Sequence, residues 1–96
     1  MHIFEWSHDK SRRNAAKHGI TFEQAARVFD DPDALMVLDH IVDGEERWHA
    51  IGRVGLHLVV VVAHTVREAG DIDIIRIVSA RRALRYERQR YEDQAR

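Results

Sequence analysis

Arg76 lies inside an apolar run, residues 72–78, that otherwise reads as a strand. Alternation along a strand puts Ile74, Arg76 and Val78 on one face and Ile75 and Ile77 on the other. Arg67 closes the preceding apolar run. If the two strands pair through a turn at residues 68–71, their guanidiniums approach each other across the sheet. Two planar forks of donors suit an anion, phosphate above all. The plainer alternative is a set of structural salt bridges to Glu46, Asp71 or Asp73, and spacing alone does not choose between the two.

His18 is the next candidate, between Lys17 and Gly19 at the end of a helical pattern. A neutral imidazole there serves as a general base. The negative end of a helix favours the charged form instead, which suits a general acid or a phosphate contact. The plainer alternative is a histidine that caps the last carbonyls. The chain has seven histidines, but none forms a His-x-x-x-His pair and no carboxylate joins them at a ligand spacing. The acidic run Asp30-Asp31-Pro32-Asp33 lacks the glycine and glutamate of a calcium loop. No metal site and no cofactor are therefore expected, and no glycine-rich phosphate loop or nucleophile-elbow serine is present.

The elements that must hold these residues follow from the pattern. Residues 2–5 read as an edge strand. Ser7 or Asp9 can cap a helix over 9–18, and Gly19 stands where a left-handed terminus belongs. Thr21-Phe22-Glu23-Gln24 has the form of a capping box, opening a second helix to about Phe29 that Pro32 prevents from continuing. Four strands follow: 34–38, 45–51, 56–65 and 72–78. Turns are expected at Asp43-Gly44, at 52–55 and at 68–71. The third of these strands is nearly all β-branched and apolar, as a strand covered on both faces should be. Ser79 then reads as the cap of a last helix, 80–93, on which Arg81 and Arg85 are neighbours and Leu84, Glu87 or Arg88, and Tyr91 share a face. The order β-α-α-β-β-β-β-α with hairpin-length links predicts an α+β domain built on an antiparallel meander.

Ninety-six residues allow one domain, with little room for a separate substrate domain. The absence of cysteine excludes disulfides, a thiol nucleophile and thiolate metal sites. The longest apolar run, residues 58–63, is far too short to span a bilayer, and the first residues do not resemble a signal peptide, so a cytoplasmic location away from membranes is expected. The net charge of −1 hides an asymmetry. Residues 21–75 carry four basic and eleven acidic side chains, whereas residues 76–96 carry seven arginines against three acids. A basic face can attract phosphates without a basic chain overall, although basic helices that merely pair with acidic strands would look the same.

Four blocks of residues, in order, resemble the BrnT family of toxins over nearly the whole chain. The first is Phe4-x-Trp6, Lys10, Asn14, Lys17-His18-Gly19-Ile20-x-Phe22, Ala25, Phe29 and Asp31-Pro32. The second is Glu46-Arg47 with Gly52, and the third is Thr65-x-Arg67. The fourth and most specific is Arg76-Ile77-Val78-Ser79-Ala80-Arg81-x-Ala83, with Glu87-Arg88 and Tyr91 downstream. Ser7 stands where the family usually has aspartate, and both residues can cap a helix. The resemblance implies a fold like that of RelE-type messenger RNA interferases, endoribonuclease activity, and a cognate ribbon-helix-helix antitoxin (BrnA-like) through which alone operator DNA is bound.

Metal-free RNA cleavage needs a base for the ribose 2′-OH, an acid for the leaving 5′-oxygen, and cations for the charged phosphorane. The expected cations are Arg67, Arg76 and Arg81, the last pointing with a helix N-terminus at the same phosphate. His18 or Glu46 would serve as base, with Lys10, Lys17 and Tyr91 as lesser candidates. Lys10, Lys17, Arg47, Arg85 and Tyr91 would contact RNA. Two rival readings are a non-catalytic nucleic-acid-binding regulator and a module that docks an acidic protein. The first lacks a recognition-helix pattern, and a cleavage assay separates all three.

Overall fold

The computed structural model describes residues 1–95; Arg96, counted above among the basic residues, lies outside them. The elements are β1 (His2–Glu5), α1 (His8–His18), α2 (Phe22–Ala26) continued by a 3-10 turn (Arg27–Asp30), β2 (Leu35–Val42), β3 (Glu45–Val54), β4 (Leu58–Ala69), β5 (Ile72–Arg82) and α3 (Arg85–Gln94). Strands β2 to β5 form the expected antiparallel meander. The spatial order is β1-β5-β4-β3-β2, and β1 pairs with β5 in parallel. The sheet is therefore mixed rather than wholly antiparallel, because α1 and the meander intervene before the chain returns beside β1.

Local chemistry sets the boundaries of the first half. The Ser7 side chain accepts from the backbone N–H of Lys10, and Gly19 ends α1 at φ 72°. Thr21 and Gln24 complete a reciprocal capping box. Asp43 and Gly44 both take positive φ, 49° and 78°, which matches a two-residue hairpin to the twist of β2 and β3.

Two expectations are overturned. Gly52 is not in a turn but inside β3. A Cβ there would lie 2.8 Å from Val28 Cγ1 and 3.2 Å from Ala34 Cβ, so the glycine admits the 3-10 turn and the following loop close to the strand. The last helix does not start at Ala80. Residues 79–82 extend β5 against Val60–Ala63, and α3 begins at Arg85. A bulge at Val78 causes the difference: His64 pairs with Ile77 and Ala63 with Ser79, leaving one extra residue on β5. The bulge shifts the alternation, so Ala80 follows Ile75 and Ile77 into the core while Arg81 faces away from it. In the sequence, that phase change looks like the end of a strand.

The sheet has two dissimilar faces. On one, Ile20, Phe22, Ala25 and Val28 pack on Ala50, Val60, Val62, Ile77 and Ala80. Each large side chain buried there contributes about 1.5–3 kcal/mol of transfer free energy. His64 belongs to this layer. Its ring meets Phe29 edge-on at 4.8 Å, and burial pushes its pKa below the usual 6.5, favouring the neutral form. On the other face, Tyr91 of α3 packs on Ile51, Val59 and Val61. Thus β4 is covered on both sides over Val59–Val62, where its composition is wholly apolar. Beyond the end of β1, the edge of β5 is met by a side chain. Asn14 accepts from Ala80 N–H at 3.1 Å and donates to Ala80 C=O at 2.8 Å, which fixes α1 against β5. Among the described residues, no helix is long and apolar enough to cross a membrane.

Candidate active-site cleft

Arg76 points away from the α2-covered core, and its strand partners are Thr65 on β4 and Glu5 on β1. It sits in a cleft of about 130 Å³ walled by Lys10, Glu45, Arg47, Thr65 and Val78. Lys10 and Val78 also border a second groove, of about 220 Å³, that runs along α1 past Arg13, Lys17, His18 and Ser79. Both Val78 and Ser79 reach this surface because the bulge turns them to the same side. The two clefts together bring five cationic side chains and one imidazole to a surface on which, among the described residues, the only lining carboxylate is Glu45. Glu45 lies 3.4 Å from Arg47. The Arg47 Nε is buried and, among the described groups, has no hydrogen-bond partner. Arg76 has no carboxylate within ion-pair distance among the described residues. A guanidinium without a described counter-ion, walled by two further cations and Thr65, has the chemistry that suits a phosphate.

The other expected residues separate into groups. Arg67 shares the face of Arg76, one diagonal step away, and lies opposite Ile74. It is exposed and held 3.1 Å from Glu5, an ion pair worth less than about 1 kcal/mol. Arg81 is on the same face, but its register partner Val61 lies four residues from Thr65 along β4, about 13 Å at strand spacing. Its fork is occupied by Glu87, which it meets at 2.7 and 3.0 Å. Glu87 is buried and also accepts from Leu84 N–H at the start of α3. Hydrogen bonding within the pair raises the Arg81 pKa and lowers that of Glu87. Arg81 thus ties β5 to α3. It does not stand at a helix N-terminus, and it is not Arg85's neighbour on a helix.

Glu46 points to the opposite face of the sheet, where it lines a hollow with Met36, Trp48 and His64. Arg85 lies on the outer side of α3 with Tyr86 and Arg90, apart from the cleft. Tyr91 is buried. Its hydroxyl donates to Asp31 Oδ2 at 2.5 Å and its ring lies 5.7 Å from the Arg53 guanidinium carbon. Burial first, and the Asp31 carboxylate second, push its pKa up to about 12. Burial also acts to raise the Asp31 pKa, but hydrogen bonds from Tyr91 and from the backbone of Arg53 and Asp33 outweigh it, and the net shift is downward. Tyr91 and Asp31 anchor α3 and stand away from the cleft.

Sequence reasoning missed Thr65, Arg13 and Ser79 as lining residues, and it missed His49. His49 alternates with Arg47 on β3, so it faces the cleft side, opposite Ala63, which in turn pairs with Ser79. Its Nε2 lies 3.7 Å from Asp39 Oδ2, and His40 Nδ1 lies 2.5 Å from the same oxygen. A register shift in β2 between Leu38 and His40 sets Asp39 there. Alternation had already put Arg47 and His49 on one face of β3. Only the pairing through β4 shows that this is also the face of Arg76. Among the described residues, no group of three or more histidines, aspartates or glutamates is gathered as a metal site.

Comparison with known proteins bears on the family and the fold. Residues 6–87 match a family model described as the ribonuclease toxin BrnT of type II toxin–antitoxin systems. The 1.1 Å crystal structure of the Brucella abortus ribonuclease toxin BrnT superposes with a TM-score of 0.62 at 24% identity, covering 88% of this chain and 99% of that one. At that identity the superposition speaks for a shared fold. No curated protein matches the chain in sequence. The matched span is most of the chain, and the chain belongs to the BrnT ribonuclease toxin family of type II toxin–antitoxin systems.

Proposed function

We propose that the chain is a metal-independent endoribonuclease that works in the Arg76 cleft. By cutting RNA it inhibits translation and arrests growth, and a ribbon-helix-helix antitoxin neutralises it and carries the operator-binding surface. The observation that carries the cleavage reading is Arg76 without a carboxylate partner, walled by Lys10 and Arg47.

In this reading Arg76 grips the scissile phosphate with Lys10 and Arg47 beside it, and the Thr65 hydroxyl donates to a phosphate oxygen. Lys17 and Arg13 along α1 hold the neighbouring backbone. Arg67 leaves its exposed partner Glu5 to reach the phosphate after the scissile one. His18 and His49, on either side of Ser79, move the protons. One takes the 2′-OH proton as the 2′-oxygen attacks phosphorus. The other protonates the 5′-oxygen as its bond to phosphorus breaks, leaving a 2′,3′-cyclic phosphate and a 5′-hydroxyl. The guanidinium and ammonium groups stabilise the dianionic phosphorane, the role a metal fills elsewhere. Glu46, Arg81, Arg85 and Tyr91 stand outside this set.

The test is cleavage of a single-stranded RNA by the purified toxin in excess EDTA, with analysis of the ends. Cyclic phosphate and 5′-hydroxyl termini are expected. Loss of cleavage in EDTA, restored by a divalent ion, would overturn the metal-free mechanism.

A further inference from the structure

The α2-bearing face of the sheet is covered only in part. The helical layer with Phe29 covers Ala50, Val60, Val62, His64, Ile77 and Ala80, and the part of that face formed by β2 and the far end of β4 stands open. There Met36, Leu38, Ile41 and Val66 are 48, 44, 60 and 46% exposed. They form one surface. Met36 and Val66 line a hollow of about 360 Å³ with Trp48, and register places Leu38 opposite Trp48 and Ile41 opposite Glu46. Single exposed apolar residues are ordinary, but a contiguous group on three adjacent strands marks a surface that something covers. The charged lining is acidic, Glu46 and Glu68, with no lysine or arginine among the described lining residues.

That charge decides the occupant. Carboxylates at the rim repel an RNA backbone. They also oppose pairing of this surface with itself, since in a two-fold contact the described lining of the second copy offers Glu46 and Glu68 no cation to face. The patch instead fits a different protein, one with an apolar stripe flanked by lysine or arginine. We propose that it is the docking site of the antitoxin, taking an amphipathic segment that lays its apolar side on Met36, Leu38, Trp48 and Val66 and its basic flank against Glu46 and Glu68. The proposal rests on the toxin–antitoxin reading for the existence of that partner. It puts the antitoxin segment on the face of the sheet opposite the Arg76 cleft.

The probe is the purified product of the reading frame beside the toxin gene, titrated against the full-length toxin. Leu38→Asp and Glu68→Lys, both at exposed positions, are expected to weaken its binding at least tenfold each. Their melting temperatures and RNA cleavage stay at the wild-type level, and Arg76→Ala binds as wild type does. Unchanged affinity in both patch variants overturns the proposal. So does a flanking protein that fails to bind the wild-type toxin, or a homodimer of the free toxin that Leu38→Asp dissolves. Cleavage by the free wild-type toxin is scored separately, so a failed nuclease reading and a failed docking surface give different results.

Discussion

Arg76 and Arg81 sit on one strand and one face, yet they are in opposite states. The Arg76 end of β5 is a cleft in which a guanidinium stands without a counter-ion between Lys10 and Arg47. The Arg81 end is a closed joint in which both donors of the fork meet a buried glutamate. A strand arginine is therefore no sign of function by itself. What separates a binding group from a structural one is whether the fold has already given it a carboxylate.

The sharpest way to break that comparison is to truncate each end. Arg76→Ala should lower RNA cleavage by about 10²–10³-fold, as loss of one transition-state donor does. Its melting temperature should hold, because the side chain is exposed. A folded Arg76→Ala variant with normal cleavage would dismiss the cleft. Arg81→Ala should show the reverse. It leaves Glu87 buried with one remaining donor, at a cost of about 2 kcal/mol, placed low because Arg81 is 35% exposed. For a chain of this size that is about 10 °C in melting temperature, with cleavage per folded molecule falling far less than for Arg76→Ala.

A smaller effect tests the second anchor of α3. Tyr91→Phe removes the hydroxyl that donates to Asp31 and should cost about 1 kcal/mol near neutral pH. Because the folded-state pKa of Tyr91 is raised from 10 to about 12, the wild-type protein gains stability from this group below pH 10. It loses that gain as pH rises from 10 toward about 12. The two melting curves should therefore converge across that interval, and a constant gap would refute the assignment. The smallest effect is expected from Glu45→Gln, which frees Arg47 from its half-exposed partner at 3.4 Å. RNA affinity at low salt should rise about two- to threefold, with a steeper salt dependence.

Much of the scaffold was legible because it is encoded locally. The Ser7 cap, Gly19, the Thr21–Gln24 box, the Asp43-Gly44 hairpin and the apolar first half of β4 each depend on a few neighbouring residues. The parts that were not legible depend on contacts distant in sequence. Ser79–Arg82 carries helix-forming residues, yet it continues β5 because Val60–Ala63 offer a ladder and Asn14 holds Ala80. Gly52 looks like turn chemistry until Val28 and Ala34 are seen above it. At the candidate site, Arg76 was singled out from its strand context and His18 from its place at a helix end, whereas Lys10, Lys17 and Arg47 entered through resemblance. The adjacent pair Glu46-Arg47 had to split between two faces, and which one joined Arg76 depended on the register of β3, β4 and β5 together. The bulge at Val78 moved Arg81 out of the helix the sequence suggested.

The Asn14 carboxamide has a wider consequence. A sheet margin with open donors and acceptors is a template on which another chain can polymerise. Here β1 covers only the first part of that margin, and a single side chain occupies the backbone groups of Ala80 further along. One residue thereby closes this stretch of the margin to another strand and fixes α1, with Lys10, Lys17 and His18, beside the cleft, so edge protection and the placement of those cations are tied to the same amide.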